Sequence, residues 1–357
     1  MKFSKGTIIT SAGEEVTADL PVIVSASRST DIPAFYAKWF FNRLKQGYVT
    51  WTNPFNQKVS YVSFENTKVI VFWSKNPRPI IPYLPELDKR GIHYYFQFTL
   101  NDYDNEGFEP HVPKVDTRVE TFRKLSKIVG PDRVIWRFDP LIITPGKTVR
   151  DLMLRVFELS KKLQGLTHKL VFSFIDIGPY KKVKSNLIRD TAVFNDDNIQ
   201  SSEFTTEQML EAAQMLSKMR DWWHERGWDF KIATCAEKID LEQFGIEHNH
   251  CIDAELMKHV FADDTDLVHY LEYGKFPEQT DLFSALDPGK PLSEKQLKDK
   301  GQREDCGCMI SKDIGMYNTC PHGCVYCYAN TSQQRARQNY KEAIANPDGT
   351  GILFKKI

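Results

Sequence analysis

Six short apolar runs recur along this chain: residues 21–25 (PVIVS), 68–74 (KVIVFWS), 93–100 (HYYFQFTL), 133–138 (RVIWRF), 169–175 (KLVFSFI) and 229–234 (DFKIAT). They are rich in Val, Ile, Phe and Tyr and apolar on both faces. A strand with one wet face alternates apolar with polar residues, so runs of this kind belong to strands covered on both sides, as in a parallel sheet. Helix-patterned stretches separate them at 34–45, 83–90, 116–128, 148–163 and 205–225, and Gly47, Gly91, Gly130, Gly165 and Gly227 mark their ends. Serial β-α units predict a parallel α/β fold, and a (β/α)8-type, TIM-like barrel fits 357 residues best. An open doubly wound sheet is the alternative, but no Gly-rich dinucleotide loop follows the first run. Residues 48–51 and 58–64 read as an inserted hairpin around the turn 53–57. Residues 1–286 form the expected barrel body. The charged, Pro/Gly-bearing stretch 287–305 reads as a linker, and 306–357 as a cysteine-rich segment that completes the barrel with a strand at 310–317 and a helix at 332–345.

The chain carries 47 basic and 47 acidic residues, so no global field favours a polyanion. It opens without the apolar core of a signal peptide, and no run approaches the roughly 18 apolar residues of a membrane span. A cytoplasmic location is expected, with no membrane partner. Disulfides are rare there, so the seven cysteines point to metal binding or catalysis.

Five of those cysteines fall between Cys306 and Cys327. Cys320, Cys324 and Cys327 are spaced C-x3-C-x2-C with Tyr326 before the last. Three thiolates can hold three corners of a 4Fe–4S cluster and leave one iron open to bind and activate something. Cys235, Cys251, Cys306 and Cys308 remain. Four thiolates are a full set for a second, closed cluster or for tetrahedral zinc. Cys235 and Cys251 read equally well as small buried hydrophobes, whereas the C-x-C pair points two thiols at one place. His248 and His250 flank Cys251.

The expected strand ends are polar. They carry Ser27, Arg28 and Asp31 after the first run and Lys75 after the second. Arg137 and Asp139 end the fourth, Asp176 the fifth, and Cys235 and Glu237 the sixth. Turn chemistry accounts for any one of these alone. Their recurrence at successive ends predicts a polar mouth over an apolar barrel, at the face where barrel enzymes place their chemistry. Arg28, Lys75 and Arg137 suit a carboxylate or phosphate. Asp31, Asp139, Asp176 and Glu237 suit ribose hydroxyls, an ammonium or proton transfer.

The stretches SASRSTDIPAFY, FWSKNP, YYFQFTLN, VIWRFDP, TCAE, HCID and CGCMISKDIGMYNTCPHGCVYCYAN, from Ser25 to Asn330, resemble an uncharacterised bacterial family, the domain of unknown function DUF1848. Its C-terminal cysteine cluster resembles that of radical S-adenosylmethionine (SAM) enzymes. That resemblance implies Cys320, Cys324 and Cys327 as cluster ligands, with Tyr326 beside the adenine of SAM. In radical SAM barrels the cluster-bearing strand, loop and helix come first. Here they come last, which implies a circularly permuted barrel. No Gly-Gly-Glu-like segment follows the next strand in that order, and Ser27, Arg28 and Asp31 are the candidates to hold the methionine end of SAM.

The expected activity is reductive cleavage of SAM at one 4Fe–4S cluster, with or without a second, starting hydrogen abstraction from an unidentified substrate. The electron donor would be a flavodoxin or ferredoxin. Two other readings stay open. One is a barrel with a purely structural zinc or closed-cluster site. The other is nucleic-acid repair or modification by radical chemistry, for which Lys181, Lys182, Lys184 and residues 335–341 supply local basic patches near Tyr180 and Tyr340. Neutral net charge disfavours the last.

Overall fold

The computed structural model describes residues 3–178, 180–277, 290–303 and 305–353. Its strands are β1 (Ser4–Ile9), β2 (Glu15–Leu20), β3 (Ile23–Ala26), β4 (Tyr48–Thr52), β5 (Val59–Ser63), β6 (Val69–Ser74), β7 (His93–Thr99), β8 (Val134–Leu141), β9 (Lys169–Phe174), β10 (Lys231–Thr234), β11 (Glu247–His248) and β12 (Lys312–Asp313). Eight form one all-parallel sheet in the order β11-β10-β9-β8-β7-β6-β3-β12. The expected parallel α/β architecture is present. Strand order follows chain order except at one edge, where the last strand lies beside the first of the series.

Alternate residues of each strand enter different cores. Val24, Ile70, Phe72, Phe96, Trp136 and Phe172 join the larger one, with the helices Ala37–Gln46, Val115–Val129, Val149–Leu163 and Thr206–His224. Ile23, Val69, Val71, Tyr95, Ile135 and Val171 join the other, with Met257, Leu267, Leu297 and Met309. Both faces are covered, which is why the strands read as unbroken apolar runs.

The helices begin where the capping chemistry is good. Thr148 accepts from the amide of Asp151, and the Asp151 carboxylate accepts from the amide of Thr148 at 2.8 Å. Thr205 and Gln208 make the same reciprocal box for the longest helix. In Val149–Leu163 the buried positions Val149, Leu152, Met153, Val156, Leu159 and Leu163 make one stripe at helical spacing.

The expected hairpin is present as β4–β5, but it belongs to a larger feature. β1, β2, β5 and β4 form a second sheet in that order, and β2 runs parallel to β5. The N-terminal pair escaped detection because its outer strand is largely exposed, Ile9 included, and carries no apolar run. The expected last strand, 310–317, is a two-residue strand. Its N-terminal flank bonds elsewhere, with Met309 N donating to the Ile252 carbonyl at 3.0 Å and Ile310 N to Leu297, while Ile314 N still donates to Ser25 of β3. Residues 309–314 therefore touch the chain just beyond β11 and pair with β3, at opposite edges of the sheet. Residues 287–289 and 304 of the expected linker lie outside the described residues. Its described part holds a short helix, Glu294–Leu297, with Leu297 buried.

Candidate metal and substrate site

All eight parallel strands point the same way, so their C-terminal ends converge. A cavity of about 1110 Å³ opens there, and all seven cysteines line it. Also on its wall are Ser27, Arg28, Asp31, Lys75, Arg137, Asp139, Asp176, Glu237 and Tyr326. The seven thiols and the nine other residues expected to serve the cluster, SAM or catalysis thus face one space, whereas His248, His250, Lys181, Lys182 and Lys184 do not line it. None of the cysteines is in a disulfide.

The seven thiols fall into two groups. Cys320, Cys324 and Cys327 lie on the loop between β12 and the helix Gln333–Ala345. Burial pushes all three thiols up, and each anion would also repel its neighbours. Cys235, Cys251, Cys306 and Cys308 come from the ends of β10 and β11 and from the segment before β12. Cys235 Sγ is 3.6 Å from Cys251 Sγ, and Cys251 N donates to Cys308 Sγ at 3.2 Å. Cys308 lies beside Cys306 in the C-x-C turn and holds the Cys306 thiol below the usual range. Among the described residues no group of three or more His, Cys, Asp or Glu side chains converges on a position for a single ion. A 4Fe–4S cluster makes no such demand, because each thiolate binds a different iron. The donor sets present, three thiols and four, fit an open and a closed cluster by chemistry and number.

The loop after β3 is shaped by a residue the sequence reading passed over. The Asp313 carboxylate, at the end of β12, accepts from the hydroxyls of Ser25, Ser27 and Ser29 at 2.7–3.1 Å. It also accepts from the amides of Arg28 and Gly315 at 2.8 and 2.9 Å. Ser27 is buried and its hydroxyl is engaged with Asp313 and Ser29. Gly315 packs directly on it: a Cβ at Gly315 would lie 1.8 Å from Ser27 Oγ and 2.5 Å from Ser27 Cβ. Gly315→Ala should therefore cost about 2 kcal/mol by overpacking, read as a fall in the urea midpoint with the slope unchanged.

Asp31 is equally committed. One carboxylate oxygen caps the helix Ile32–Phe35 through Ala34 N and accepts from Ser74 Oγ. The other accepts from Lys75 N and lies 2.9 Å from His322 Nε2, inside the cysteine loop. Asp31 thus links β3, β6 and the thiol-bearing loop.

A second polar knot lies under Tyr326. Its hydroxyl donates to Glu109, and Lys75 Nζ reaches both Glu109 Oε1 and the Tyr326 oxygen at 2.8 Å. Asn101 Nδ2 joins them at 2.9–3.1 Å. Arg118, fully buried, lies 3.1 Å from Glu109 Oε2, at an angle that makes an ion pair without a hydrogen bond. Burial alone would raise the Glu109 carboxyl, but Lys75 and Arg118 outweigh it and hold it down to about 2. Glu109 and Arg118 carried no local signal, since a lone Glu in a proline-bearing loop is ordinary, whereas Asn101 follows the third apolar run as one more polar strand end. Asp313 did carry one: it is an acidic residue ending a strand, as Asp139 follows the expected run 133–138.

Arg137 is buried, donates to Cys251 Sγ at 3.0 Å and to Gln97, and pairs with Asp139. Asp139 also accepts from Ser173. Asp176 faces Arg303 at 3.7 Å, and burial raises its carboxyl. Burial likewise pushes the Glu237 carboxyl up to about 7, although it accepts from Phe174 N. Of the basic patches, Val183 is buried between exposed Lys181 and half-buried Lys184, and Tyr340 packs edge-on against Phe35 and Tyr36. His248 is exposed on β11, and His250 abuts Gly307.

The model of the domain of unknown function DUF1848 matches residues 23–329. The chain belongs to the DUF1848 family. The matched span runs from β3 through the last cysteine of the loop, so it takes in the parallel sheet and all seven thiols. Outside the match lie β1, β2 and the helix Gln333–Ala345. The chain is also similar to Protein tudor of Drosophila melanogaster, at 28% identity over 138 residues, covering 36% of this chain and 5% of that protein. It therefore spans a small fraction of that relative. No solved structure matches. Among the described residues no helix is long and apolar enough to cross a membrane.

Proposed function

We propose that this DUF1848 chain is a radical SAM-type enzyme in which Cys320, Cys324 and Cys327 hold a 4Fe–4S cluster with one open iron and SAM binds beside it. What carries the reading is the division of the thiols. Four are engaged with one another, and three are left together on the loop after β12, facing the cavity. When bound, that cluster supplies one-electron cleavage of SAM, which starts hydrogen abstraction from a substrate.

The chain's own residues then do three things. Asp31 and Asp313 fix the loop after β3 against the cysteine loop, so both keep one geometry. The Glu109–Lys75–Asn101 knot holds Tyr326 in place in the loop. The cavity has room for SAM and a second small molecule, since ligand pockets usually run to roughly 300–1,000 Å³. Ser27 and Asp31 are engaged in shaping the loop, whereas Arg28 keeps a buried Nη2 with no hydrogen-bond partner. Residues 309–314, which bond to both edges of the sheet, support closure into a permuted barrel. A thiol-rich centre of this kind belongs in a reducing, cytoplasmic compartment, with a flavodoxin or ferredoxin as electron donor.

The test is anaerobic reconstitution with iron and sulfide, followed by dithionite and SAM. 5′-Deoxyadenosine and methionine should accumulate, and Cys324→Ala should reduce both to the protein-free background. Cluster-loaded wild-type protein that forms neither product, or protein that takes up zinc and no iron, overturns the reading.

A further inference from the structure

We infer that Cys235, Cys251, Cys306 and Cys308 bind a second 4Fe–4S cluster, closed by four thiolates, in the same cavity as the three-cysteine site. The fold brings these residues together from three places. Cys235 follows β10, Cys251 follows β11, and Cys306 and Cys308 precede β12. Cys251 and Cys308 are 57 residues apart in the chain, yet an amide of one touches the sulfur of the other. Cys308 Sγ also receives the amide of Ile252 at 3.4 Å. Backbone amides aimed at sulfur stabilise thiolate and tune cluster potential.

The turn between the C-x-C pair is shaped for this place. A Cβ at Gly307 would lie 2.1 Å from His250 Nε2, so any larger residue there would have to displace that ring from beside Cys251.

Charge is the second observation, independent of the thiols. A 4Fe–4S core of charge +2 with four thiolates carries a net −2, and a buried −2 needs counter-charge. Two guanidiniums border the four sulfurs. Arg137 donates to Cys251 Sγ at 3.0 Å. Arg28 lies over the Trp73 ring at 5.1 Å, within electrostatic range of Cys251, Cys306 and Cys308, and its Nη2 is buried with no hydrogen-bond partner. A buried guanidinium donor without an acceptor costs stability unless an anion fills the space. Zinc is the other centre four thiolates can hold; the 3.6 Å between Cys235 Sγ and Cys251 Sγ would suit a shared ion, but among the described residues no third group joins them at one position. With all four corners taken there is no open iron, so this cluster carries electrons and does not bind SAM.

The site stands apart from the SAM reading, and one set of measurements separates them. Iron and acid-labile sulfide are counted per chain in anaerobically purified, full-length protein. Wild type should hold about eight of each, and both Cys306→Ser/Cys308→Ser and the triple variant Cys320→Ser/Cys324→Ser/Cys327→Ser about four. Cys306→Ser alone alters a half-buried side chain, and an unchanged far-UV spectrum with reduced iron makes unfolding an insufficient cause. About four irons in wild type, all lost in the triple variant, would overturn the second site and leave SAM cleavage standing. Zinc at these four thiols would overturn it too. About eight irons without 5′-deoxyadenosine would uphold the second site and sink the SAM reading.

Discussion

Glu109→Gln is expected to lower the free energy of unfolding by about 3–5 kcal/mol, the scale for removing one partner of a buried ion pair. Glu109 is 1% exposed and is the shared counter-charge for Lys75 and for Arg118, which is 0% exposed. Glutamine retains the shape and an acceptor but no charge. Lys75 would then lose its ion-pair partner and Arg118 would keep Asp104 at 3.6 Å, both close to Tyr326 of the cysteine loop. Equilibrium urea unfolding measures the loss, and a change under about 1 kcal/mol would refute the account.

The same carboxylate sets an acid limit. Its folded value of about 2 lies below the ordinary 4.5. The stability it contributes is therefore fully present above about pH 4.5 and lost as the pH falls towards 2, with about 3 kcal/mol at stake by linkage. Wild type should lose stability over that interval more steeply than Glu109→Gln. Parallel stability curves for the two proteins between pH 5 and 2 would show that the carboxylate is not held down.

Asp313→Ala should be nearly as damaging, by about 3–5 kcal/mol, because five donors lose one acceptor. Three are serine hydroxyls of the β3 strand and loop, on Ser25, Ser27 and Ser29, all buried. The loss should also uncouple β12 from β3, whose pairing is only two residues long. Hydrogen exchange should then quicken at Arg28 and Gly315, whose amides lose their acceptor, while amides of β7 and β8 keep their protection. Unchanged exchange at Arg28 would show that the carboxylate does not hold the loop.

The strands were legible because burial on both faces leaves a mark within a few residues. The run at 169–175 became Lys169–Phe174, and 68–74 became Val69–Ser74. Helix starts at Thr148 and Thr205 were legible for a similar reason, as the capping partner is three residues away. β1 and β2 were not, because an exposed hairpin has little apolar pattern to read. β12 was placed too long, because its neighbours in the chain bond to Ile252, Leu297 and Ser25 and not to β3 alone.

Within the site, residues that end strands were findable one by one. Lys75, Arg137, Asp139 and Glu237 all face the cavity. Their partners were not. Glu109 meets Tyr326 across 217 residues and Asp313 meets Ser25 across 288, and no local pattern encodes a contact of that reach.

By itself, then, the amino-acid order settled what is decided over a few residues: parallel strands, capped helices and three thiols at fixed intervals on one loop. The folded chain alone decided which distant groups share a space. The strand order puts the last strand beside the first of the series, and that adjacency gives Asp313 its serines and Asp31 its His322, while the bond from Met309 to Ile252 beyond β11 brings Cys308 to Cys251. The physical reason is range. Periodicity and capping act within a turn or two, whereas counter-charges and thiols are paired by how the sheet is assembled.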